Sequence, residues 1–157
     1  MSQHPAPPAA PVDLDQLQLD GLLCLAVHST ARAFDRVYRR LLEDLDLTYP
    51  QYLVMAALWR HGPLPVKRLG ELLRLDYGTM SPLLKRLEAA GLVARRRDPR
   101  DERSVLVEPT AEGTRLKDRG REVPLRLARA TGLTSQQAAD LHAQLAHLTA
   151  ALDASTA

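Results

Sequence analysis

The fold is decided by residues 66–105, which read "VKRLGELLRLDYGTMSPLLKRLEAAGLVARRRDPRDERSV". This segment opens with two helical patterns that are separated by the turn sequence "DYG". The second pattern covers about residues 79–90, and its apolar residues recur three and four apart at Met80, Leu83, Leu84 and Leu87. We expect Pro82 in the first turn of that helix, where a missing N–H does little harm. The spacing therefore predicts a helix–turn–helix.

The periodicity changes after Gly91, which ends the second of these helices. The runs "LVARRR" and "SVLVEP" are short and β-rich, and they flank the polar tip "DPRDER". Two such runs around a polar turn predict a β-hairpin. A hairpin directly after a helix–turn–helix is the arrangement of a winged helix.

Two helices are predicted before this segment. The sequence "TYPQYLVMAALWRHG", residues 48–62, offers Thr48 as N-cap and Gln51 as the capping-box partner three residues later. A longer amphipathic helix precedes it, over about residues 20–45. Either Asp13 or Asp20 caps that first helix, and we favour Asp20 because the glycine that follows it weakens the upstream segment as a helix.

Two further helices are predicted after the hairpin. The fifth begins near Thr110 and is interrupted or kinked around Pro124, and the sixth begins at Thr134 with Gln137 as its capping-box partner. The apolar stripes of the terminal helices are too extensive for the small core of a winged helix to cover. We therefore expect these helices to bury each other across a homodimer. The alternative is a six-helix monomer with a decorative hairpin.

These elements predict a mainly α fold class with a small β-hairpin wing, a winged helix-turn-helix with N- and C-terminal dimerisation helices. We expect residues 1–18 to form a disordered Pro/Ala-rich tail and residues 19–157 to form a single domain. Within this domain, residues 19–47 and 110–157 are the predicted dimerisation helices. Residues 48–109 are the predicted winged helix-turn-helix lobe.

The composition narrows the possible function classes. The chain has 157 residues and a formal net charge of +2, which alone decides nothing about its partners. A single cysteine excludes an internal disulfide, and no cluster of zinc ligands is present, so we expect no metal and no cofactor. The N-terminus lacks the regions of a signal peptide, and no apolar run is long enough to span a bilayer. We therefore expect a cytoplasmic protein without a membrane partner.

The second helix of the helix–turn–helix carries polar residues opposite its apolar stripe. The N-terminal residues of such a helix meet base edges in the major groove of double-stranded DNA. Serine and threonine bond several bases, lysine and arginine bond guanine or phosphate, and a glycine lets the backbone approach. The predicted DNA-binding residues of this helix are Tyr77, Gly78, Thr79, Ser81, Lys85 and Arg86.

The hairpin predicts a second DNA contact. Its tip alternates arginines with the acids Asp98, Asp101 and Glu102. We expect these acids to hold the arginines and to order the loop, which leaves Arg100 to enter a minor groove. The predicted DNA-binding residues of the hairpin are Arg97, Arg100 and Arg103. The alternative is an exposed hairpin whose charges neutralise one another.

Four segments carry a resemblance to a known family. They are "LTYPQYLVMAALW", "VKRLGELLRLDYGTMSPLLKRLEAAGLV", "RDPRDERSV" and the helix start "PTAEG". From about residue 19 onward the chain resembles the MarR family of winged-helix repressors, and within it the organic-hydroperoxide-sensing branch, the OhrR repressors. The resemblance implies a homodimeric repressor that binds a palindromic operator and controls a peroxide-reducing enzyme. It also implies release from DNA when one N-terminal cysteine is oxidised.

Carried over residue by residue, the resemblance makes Cys24 the redox sensor and places Tyr38 and Tyr49 in its network. The family usually has a tyrosine four residues after the cysteine, and here that position is His28. His28 either forms a hydrogen bond, stabilises a thiolate or only fills space. Because Tyr38 lies fourteen residues after Cys24, one straight helix separates them by about 21 Å. Tyr38 must therefore come from the partner subunit, or the helix must be broken.

A sensing cysteine reacts with an organic hydroperoxide as a thiolate and becomes a sulfenic acid. The first turn of a helix favours the anion, and the apolar residues around Cys24 indicate a pocket that suits an alkyl or lipid hydroperoxide. With no second cysteine, the sulfenic acid must be trapped in another way. The candidates are a mixed disulfide with a low-molecular-weight thiol, a cyclic sulfenamide and an over-oxidised sulfur.

Three alternatives to this hypothesis stay open. In the first, Cys24 is only a packed core residue, as free cysteines usually are. In the second, the chain is a MarR-type repressor that responds to a non-covalent small-molecule ligand, and Cys24 is incidental. In the third, the chain is a one-cysteine thiol peroxidase, which would leave the helix–turn–helix unexplained. We expect a regulator and not an enzyme.

Overall fold

The computed structural model describes residues 21–156. The predicted tail over residues 1–18 and the two candidate caps, Asp13 and Asp20, lie outside the described residues. The chain forms two compact units, one ending at Asp35 and the other beginning at Arg36. This boundary falls within the first helix, α1, Leu23–Leu41.

Helix α1 ends earlier than the predicted end near residue 45. It stops at Leu41, and a short 3-10 turn over Glu43–Leu45 follows. The turn brings three leucines into the core with exposures of 1%, 5% and 7%: Leu42, Leu45 and Leu47. Their burial offsets the loss of one more turn of α-helix.

Helix α2, Tyr49–His61, begins with the predicted capping box. The backbone N–H of Thr48 donates to Oε1 of Gln51 at 2.8 Å, and Pro50 stands in the first turn, where its missing N–H has no intrahelical partner. Gly62 ends the helix with a φ of 75°, a backbone conformation that glycine adopts without strain. The predicted start and end of this helix are therefore confirmed.

The predicted helix–turn–helix is present as α3, Val66–Leu73, and α4, Tyr77–Ala89. Helix α4 begins two residues earlier than predicted, because Asp76 caps it. The prediction that Pro82 lies in the first turn is therefore wrong, and Pro82 stands inside the helix, in its second turn. Because Pro82 has no N–H for the carbonyl of Gly78, α4 lacks one intrahelical hydrogen bond there.

The wing is a three-stranded antiparallel sheet with the strand order β1-β3-β2, and not a two-stranded hairpin alone. Strands β2, Val93–Asp98, and β3, Asp101–Pro109, form the predicted hairpin. The additional strand, β1, Leu64–Pro65, pairs with β3 and places Leu64 opposite Val107. Two residues are too few to show an alternating pattern, so periodicity could not reveal β1.

Four helices follow the wing: α5, Ala111–Arg115; α6, Lys117–Gly120; α7, Glu122–Thr131; and α8, Ser135–Ser155. The predicted interruption at Pro124 is wrong in position, because the breaks fall at Leu116 and Arg121. Pro124 lies in the first turn of α7, where proline needs no hydrogen-bond partner for its nitrogen. The second break directly follows Gly120, which packs against the ring of Trp59.

Helix α8 begins with the predicted capping box. The N–H of Gln137 donates to Oγ1 of Thr134 at 3.2 Å, and the N–H of Thr134 donates to Oε1 of Gln137 at 2.9 Å. None of the residues of α8 is buried. Three of its leucines are exposed by 40%, 44% and 58%: Leu141, Leu145 and Leu152. The predicted excess of apolar surface on this helix is thus present in the folded chain.

The hydrophobic core of the second unit lies between α2, α3, α4 and the sheet. The predicted apolar stripe of α4 is confirmed, since all four of its residues are buried: Met80, Leu83, Leu84 and Leu87. This packing fixes α4 against the wing and confirms a mainly α winged helix. None of the helices within residues 21–156 is long and apolar enough to cross a lipid bilayer.

Candidate nucleic-acid interface and cysteine site

The N-terminus of α4 is held by a carboxylate cap. Oδ1 of Asp76 accepts the backbone N–H of Thr79 at 2.8 Å, and Oδ2 accepts the Thr79 hydroxyl at 3.2 Å. The backbone bond from Thr79 is the largest cause of the lowered pKa of Asp76. A methyl group at Gly78 would lie 3.1 Å from Oδ1 of Asp76, so glycine leaves room for the cap. This role of Gly78 is not visible in the sequence alone.

The polar face of α4 is open to solvent, as predicted. Tyr77 is 76% exposed, and Gly78, Thr79, Lys85 and Arg86 are also exposed, whereas Ser81 is half-buried. A cleft of about 740 Å³ lies between α3, α4 and the wing. Its lining includes Tyr77 and Ser81 from the helix and Arg103 from the wing. The structure therefore brings predicted residues of both elements to one concave surface.

The acids of the wing tip order the backbone and not the arginine side chains. Oδ1 of Asp98 accepts the N–H of Arg100 at 2.9 Å, and Oδ1 of Asp101 accepts the N–H of Arg103 at 3.0 Å. Each aspartate thus closes a turn two residues ahead of itself. The expectation that the acids hold the arginine side chains is wrong for this tip. Within residues 21–156, neither Arg100 nor Arg103 forms an ion pair, and the same holds for Arg97.

Two other wing arginines are occupied by carboxylates. Arg95 donates through Nε to Glu88 of α4 at 3.0 Å and through a second nitrogen to the same oxygen. This bond raises the pKa of Arg95 and lowers the pKa of Glu88. Arg96 bonds Glu108 of β3 at 2.9 Å. Arg95 therefore joins the wing to α4, and Arg96 joins the two strands of the hairpin. The arginines without an ion pair, Arg97, Arg100 and Arg103, lie closer to the tip.

Cys24 lies in the first turn of α1, as predicted, and is exposed. His28, one turn later, is exposed as well. The neighbouring apolar side chains Leu23, Leu25 and Val27 are exposed by 64%, 38% and 38%. The expected apolar pocket around the thiol is therefore not formed by these neighbouring side chains, which are exposed in the described part of the chain.

The two predicted tyrosines lie against each other. The ring centroids of Tyr38 and Tyr49 are 4.3 Å apart, with an angle of 36° between the ring planes. Burial raises the pKa of Tyr38 to about 12, with smaller contributions from Tyr49 and Tyr52. Tyr38 therefore keeps its hydroxyl proton at neutral pH and remains a hydrogen-bond donor.

Two further aromatic residues, which were not predicted as part of the site, lie below this pair. Tyr52 has its ring centroid 6.4 Å from that of Tyr38, and Trp59 lies 6.2 Å from Tyr52 with an edge-to-face angle of 67°. Burial is the largest cause of the raised pKa of Tyr52. The spacing of Tyr49, Tyr52 and Trp59 on α2 was the available signal, since residues three and seven apart share a helix face. No group of three potential metal ligands occurs among residues 21–156.

Residues 47–105 match the MarR family. The chain is 42% identical over 127 residues to the organic hydroperoxide resistance transcriptional regulator of Bacillus subtilis, which covers 81% of this chain and 84% of that relative. Among solved structures, reduced AbfR bound to DNA is similar with a TM-score of 0.72 at 28% identity, covering 88% of this chain and 96% of AbfR, a protein of Staphylococcus epidermidis. Overoxidised AbfR bound to DNA gives a TM-score of 0.66 at 31% identity, with coverages of 85% and 98%. The chain therefore belongs to the MarR family of transcriptional regulators.

Proposed function

We propose that this chain is a homodimeric DNA-binding repressor that leaves a palindromic operator when an organic hydroperoxide oxidises Cys24. The observation that carries the proposal is the 4.3 Å ring contact of Tyr38 and Tyr49 in a chain whose one cysteine stands at the start of α1. These are the residues that the family resemblance assigns to peroxide sensing. The relative named for organic hydroperoxide resistance supports the same chemistry.

The DNA-binding part of the proposal is supported by exposed groups on α4 and on the wing. Helix α4 presents Tyr77 and Thr79 from its first turn, which is the part of such a helix that enters a major groove, and Lys85 is exposed further along the helix. At the wing tip, Arg100 and Arg103 have ordered backbones and unpaired guanidinium groups. They bind phosphates or the adjacent minor groove. In a two-fold dimer the two α4 helices meet half-sites about 34 Å apart.

A second copy of the chain is the proposed partner of α8. An apolar face with Leu141, Leu145 and Leu152 exposed is typical of a subunit interface. The unbroken course of α1 from Leu23 to Leu41 adds a second argument. Along such a helix Cys24 and Tyr38 are about 21 Å apart, so Tyr38 of the partner subunit bonds the thiolate. The dimer is then a condition of the chemistry.

Oxidation is a two-electron step at sulfur. The thiolate of Cys24 attacks the terminal peroxide oxygen, the O–O bond breaks, and the alkoxide leaves and takes up a proton from solvent. The cysteine becomes a sulfenic acid, and the hydroperoxide becomes an alcohol. Protonated tyrosine hydroxyls stabilise the attacking thiolate as hydrogen-bond donors. His28, one turn after Cys24, is the third member of the proposed network.

A low-molecular-weight thiol traps the sulfenic acid. Its sulfur attacks that of Cys24, a mixed disulfide forms and water leaves. We favour this product over an over-oxidised sulfur because overoxidised AbfR has been solved bound to DNA. The adduct is larger than the thiolate and cannot accept the same hydrogen bonds. It separates the tyrosines from the sulfur, shifts the dimer helices and moves the two α4 helices off their half-sites.

A DNA-binding titration tests the proposal. The probe is the upstream region of the protein's own gene, followed by fluorescence anisotropy with and without cumene hydroperoxide and a small thiol. We expect oxidation to weaken binding by about 5–150-fold, the usual range for an effector of a regulator. Cys24→Ser should bind the operator equally well and should not respond.

Two outcomes would contradict the proposal. Normal release of Cys24→Ser by a small-molecule inducer, together with insensitivity of the wild type to peroxide, would indicate a ligand-responsive repressor. Multiple turnovers of peroxide with a reductant, together with no operator binding, would indicate a thiol peroxidase.

A further inference from the structure

Two aromatic residues continue from the tyrosine pair along one face of α2 toward its C-terminal end. Tyr52 lies below the pair, with its ring centroid 6.4 Å from that of Tyr38, and only 6% of it is exposed. Trp59 stands seven residues later on the same helix face and contacts Tyr52 edge to face at 6.2 Å. The three rings thus form a continuous packed series in the second compact unit.

Both inner aromatics donate a hydrogen bond to the segment that follows the wing. The hydroxyl of Tyr52 donates to the carbonyl of Gly120 at 3.3 Å, and the indole N–H of Trp59 donates to the carbonyl of Gly113 at 2.9 Å. Donors and acceptors are each seven residues apart, so α2 lies alongside α5 and α6 in a fixed register. These bonds span 68 and 54 residues of sequence, and no local turn requires them.

The two acceptor glycines are sterically fixed. A methyl group at Gly120 would overlap the ring of Trp59, and one at Gly113 would overlap the carbonyl oxygen of Leu92. That carbonyl directly precedes strand β2 and accepts the N–H of Thr110 at 3.0 Å. The α2 aromatics are therefore joined to the base of the wing by close contacts, through the bond from Trp59 to Gly113 and the tight approach of Gly113 to the carbonyl of Leu92.

We infer that Tyr52 is a positioning residue that transmits a displacement of the sensing tyrosines to α6 and to the base of the wing. The inference rests on the proposed peroxide response. In this inference Tyr52 takes no part in the oxidation of Cys24 itself. Its hydroxyl fixes the register between α2 and α6. Movement of Tyr38 above it therefore changes the position of α6 and of the base of the wing, and is not absorbed by rotation of side chains.

The test compares oxidation and DNA release in Tyr52→Phe, which removes one hydroxyl and keeps the ring. We expect cumene hydroperoxide to oxidise Cys24 at the wild-type rate, measured by mass spectrometry. We expect the ratio of oxidised to reduced operator dissociation constants to fall at least about fivefold, the lower end of an allosteric effect. Thr131→Val is the matched control, since that hydroxyl bonds only neighbouring backbone: it donates to the carbonyl of Ala128 at 2.8 Å and accepts the N–H of Leu133 at 3.3 Å.

Trp59 supplies a spectroscopic readout, because it is the only tryptophan in the chain. Its emission should shift on oxidation of the wild type and of Thr131→Val, and the shift should be smaller in Tyr52→Phe. If reduced Tyr52→Phe does not bind the operator, Trp59→Phe replaces it in the same titration and should show the same smaller ratio.

The outcomes separate this inference from the proposed function. If Tyr52→Phe and Trp59→Phe both release the operator on oxidation as the wild type does, or if the wild-type emission stays constant during release, the inference is wrong and the proposed function stands. If the wild type itself does not respond to peroxide, both are wrong.

Discussion

The carboxylate of Asp76 accepts two hydrogen bonds from Thr79, one from its backbone N–H at 2.8 Å and one from its hydroxyl at 3.2 Å. A predicted DNA-contacting residue is thereby also part of the cap that starts helix α4. The Thr79 hydroxyl gives its proton to the cap, so in the proposed DNA contact it would serve as an acceptor. In B-DNA the major-groove donors are the amino groups of adenine and cytosine.

Removal of the Asp76 cap should reduce both the stability of the protein and its binding to DNA. Asp76→Ala removes the acceptor of the Thr79 N–H, so we expect a melting temperature lower by about 2–4 °C and weaker operator binding. Asp118→Ala removes an exposed aspartate that caps no helix and should change neither. Thermal melts and anisotropy titrations measure the two effects, and an unchanged melting temperature for Asp76→Ala would contradict the assigned cap.

The same carboxylate predicts a pH dependence. Since folding lowers the pKa of Asp76, its stabilisation is present above the unfolded pKa and is lost as the pH falls through the folded pKa. The difference in melting temperature between the wild type and Asp76→Asn should be constant at neutral pH and should disappear in strong acid. Thermal melts at a series of pH values measure this difference. A difference that grows on acidification would contradict a lowered pKa of Asp76 in the folded state.

The contact between Gly120 and Trp59 predicts that position 120 does not tolerate a side chain. Gly120→Ala places a methyl group in the indole ring, and we expect the free energy of unfolding to fall by about 1–3 kcal/mol. Gly21→Ala is the control, because nothing lies within 4 Å of the position of its added methyl group. Urea unfolding measures both variants, and equal midpoints would show that the helix and ring separate without cost.

The wing tip predicts a salt-dependent loss of binding. Arg100→Ala removes one unpaired cation per subunit, so operator binding should weaken about tenfold and the salt dependence should become shallower. Arg126→Ala removes an exposed cation from α7 and should bind as the wild type does. Anisotropy titrations over a range of KCl concentrations measure the slope. Loss of peroxide reactivity in Arg100→Ala would mean that the wing has been misplaced.

The exposed face of α8 predicts the oligomeric state. Leu145→Lys introduces a charge into the proposed interface, so we expect sedimentation velocity to show a monomer at micromolar concentration, with operator binding lost. Gln144→Lys adds the same charge one residue away and should remain a dimer. A wild-type monomer under these conditions would remove the argument that Tyr38 acts across the interface.

Residues with a strong local signal were predicted from the sequence, and residues whose roles depend on distant contacts were not. The capping box of Thr48 and the buried stripe of α4 follow from spacing along one helix, and both are confirmed. The early end of α1 depends on three leucines that meet the core only after the chain turns. Strand β1 exists because Leu64 pairs with Val107, more than forty residues later.

The candidate site divides in the same way. Cys24, Tyr38 and Tyr49 could be located because the family resemblance names their positions, and the structure brings the two tyrosines together. Tyr52 and Trp59 were missed because a helical stripe of aromatic residues ordinarily indicates only core packing. Their hydrogen bonds to glycine carbonyls far along the chain cannot be read from local spacing.

The two aspartate turns of the wing tip have a calorimetric consequence. Because Asp98 and Asp101 already fix the backbones of Arg100 and Arg103, this loop loses little conformational entropy when a polyanion contacts it. The contribution of this loop to the free energy of DNA binding should then come mainly from the release of condensed counterions. This contribution is a favourable entropy, and it should become smaller as salt is added. The wing tip would be preorganised for DNA, so that binding requires no folding of the loop.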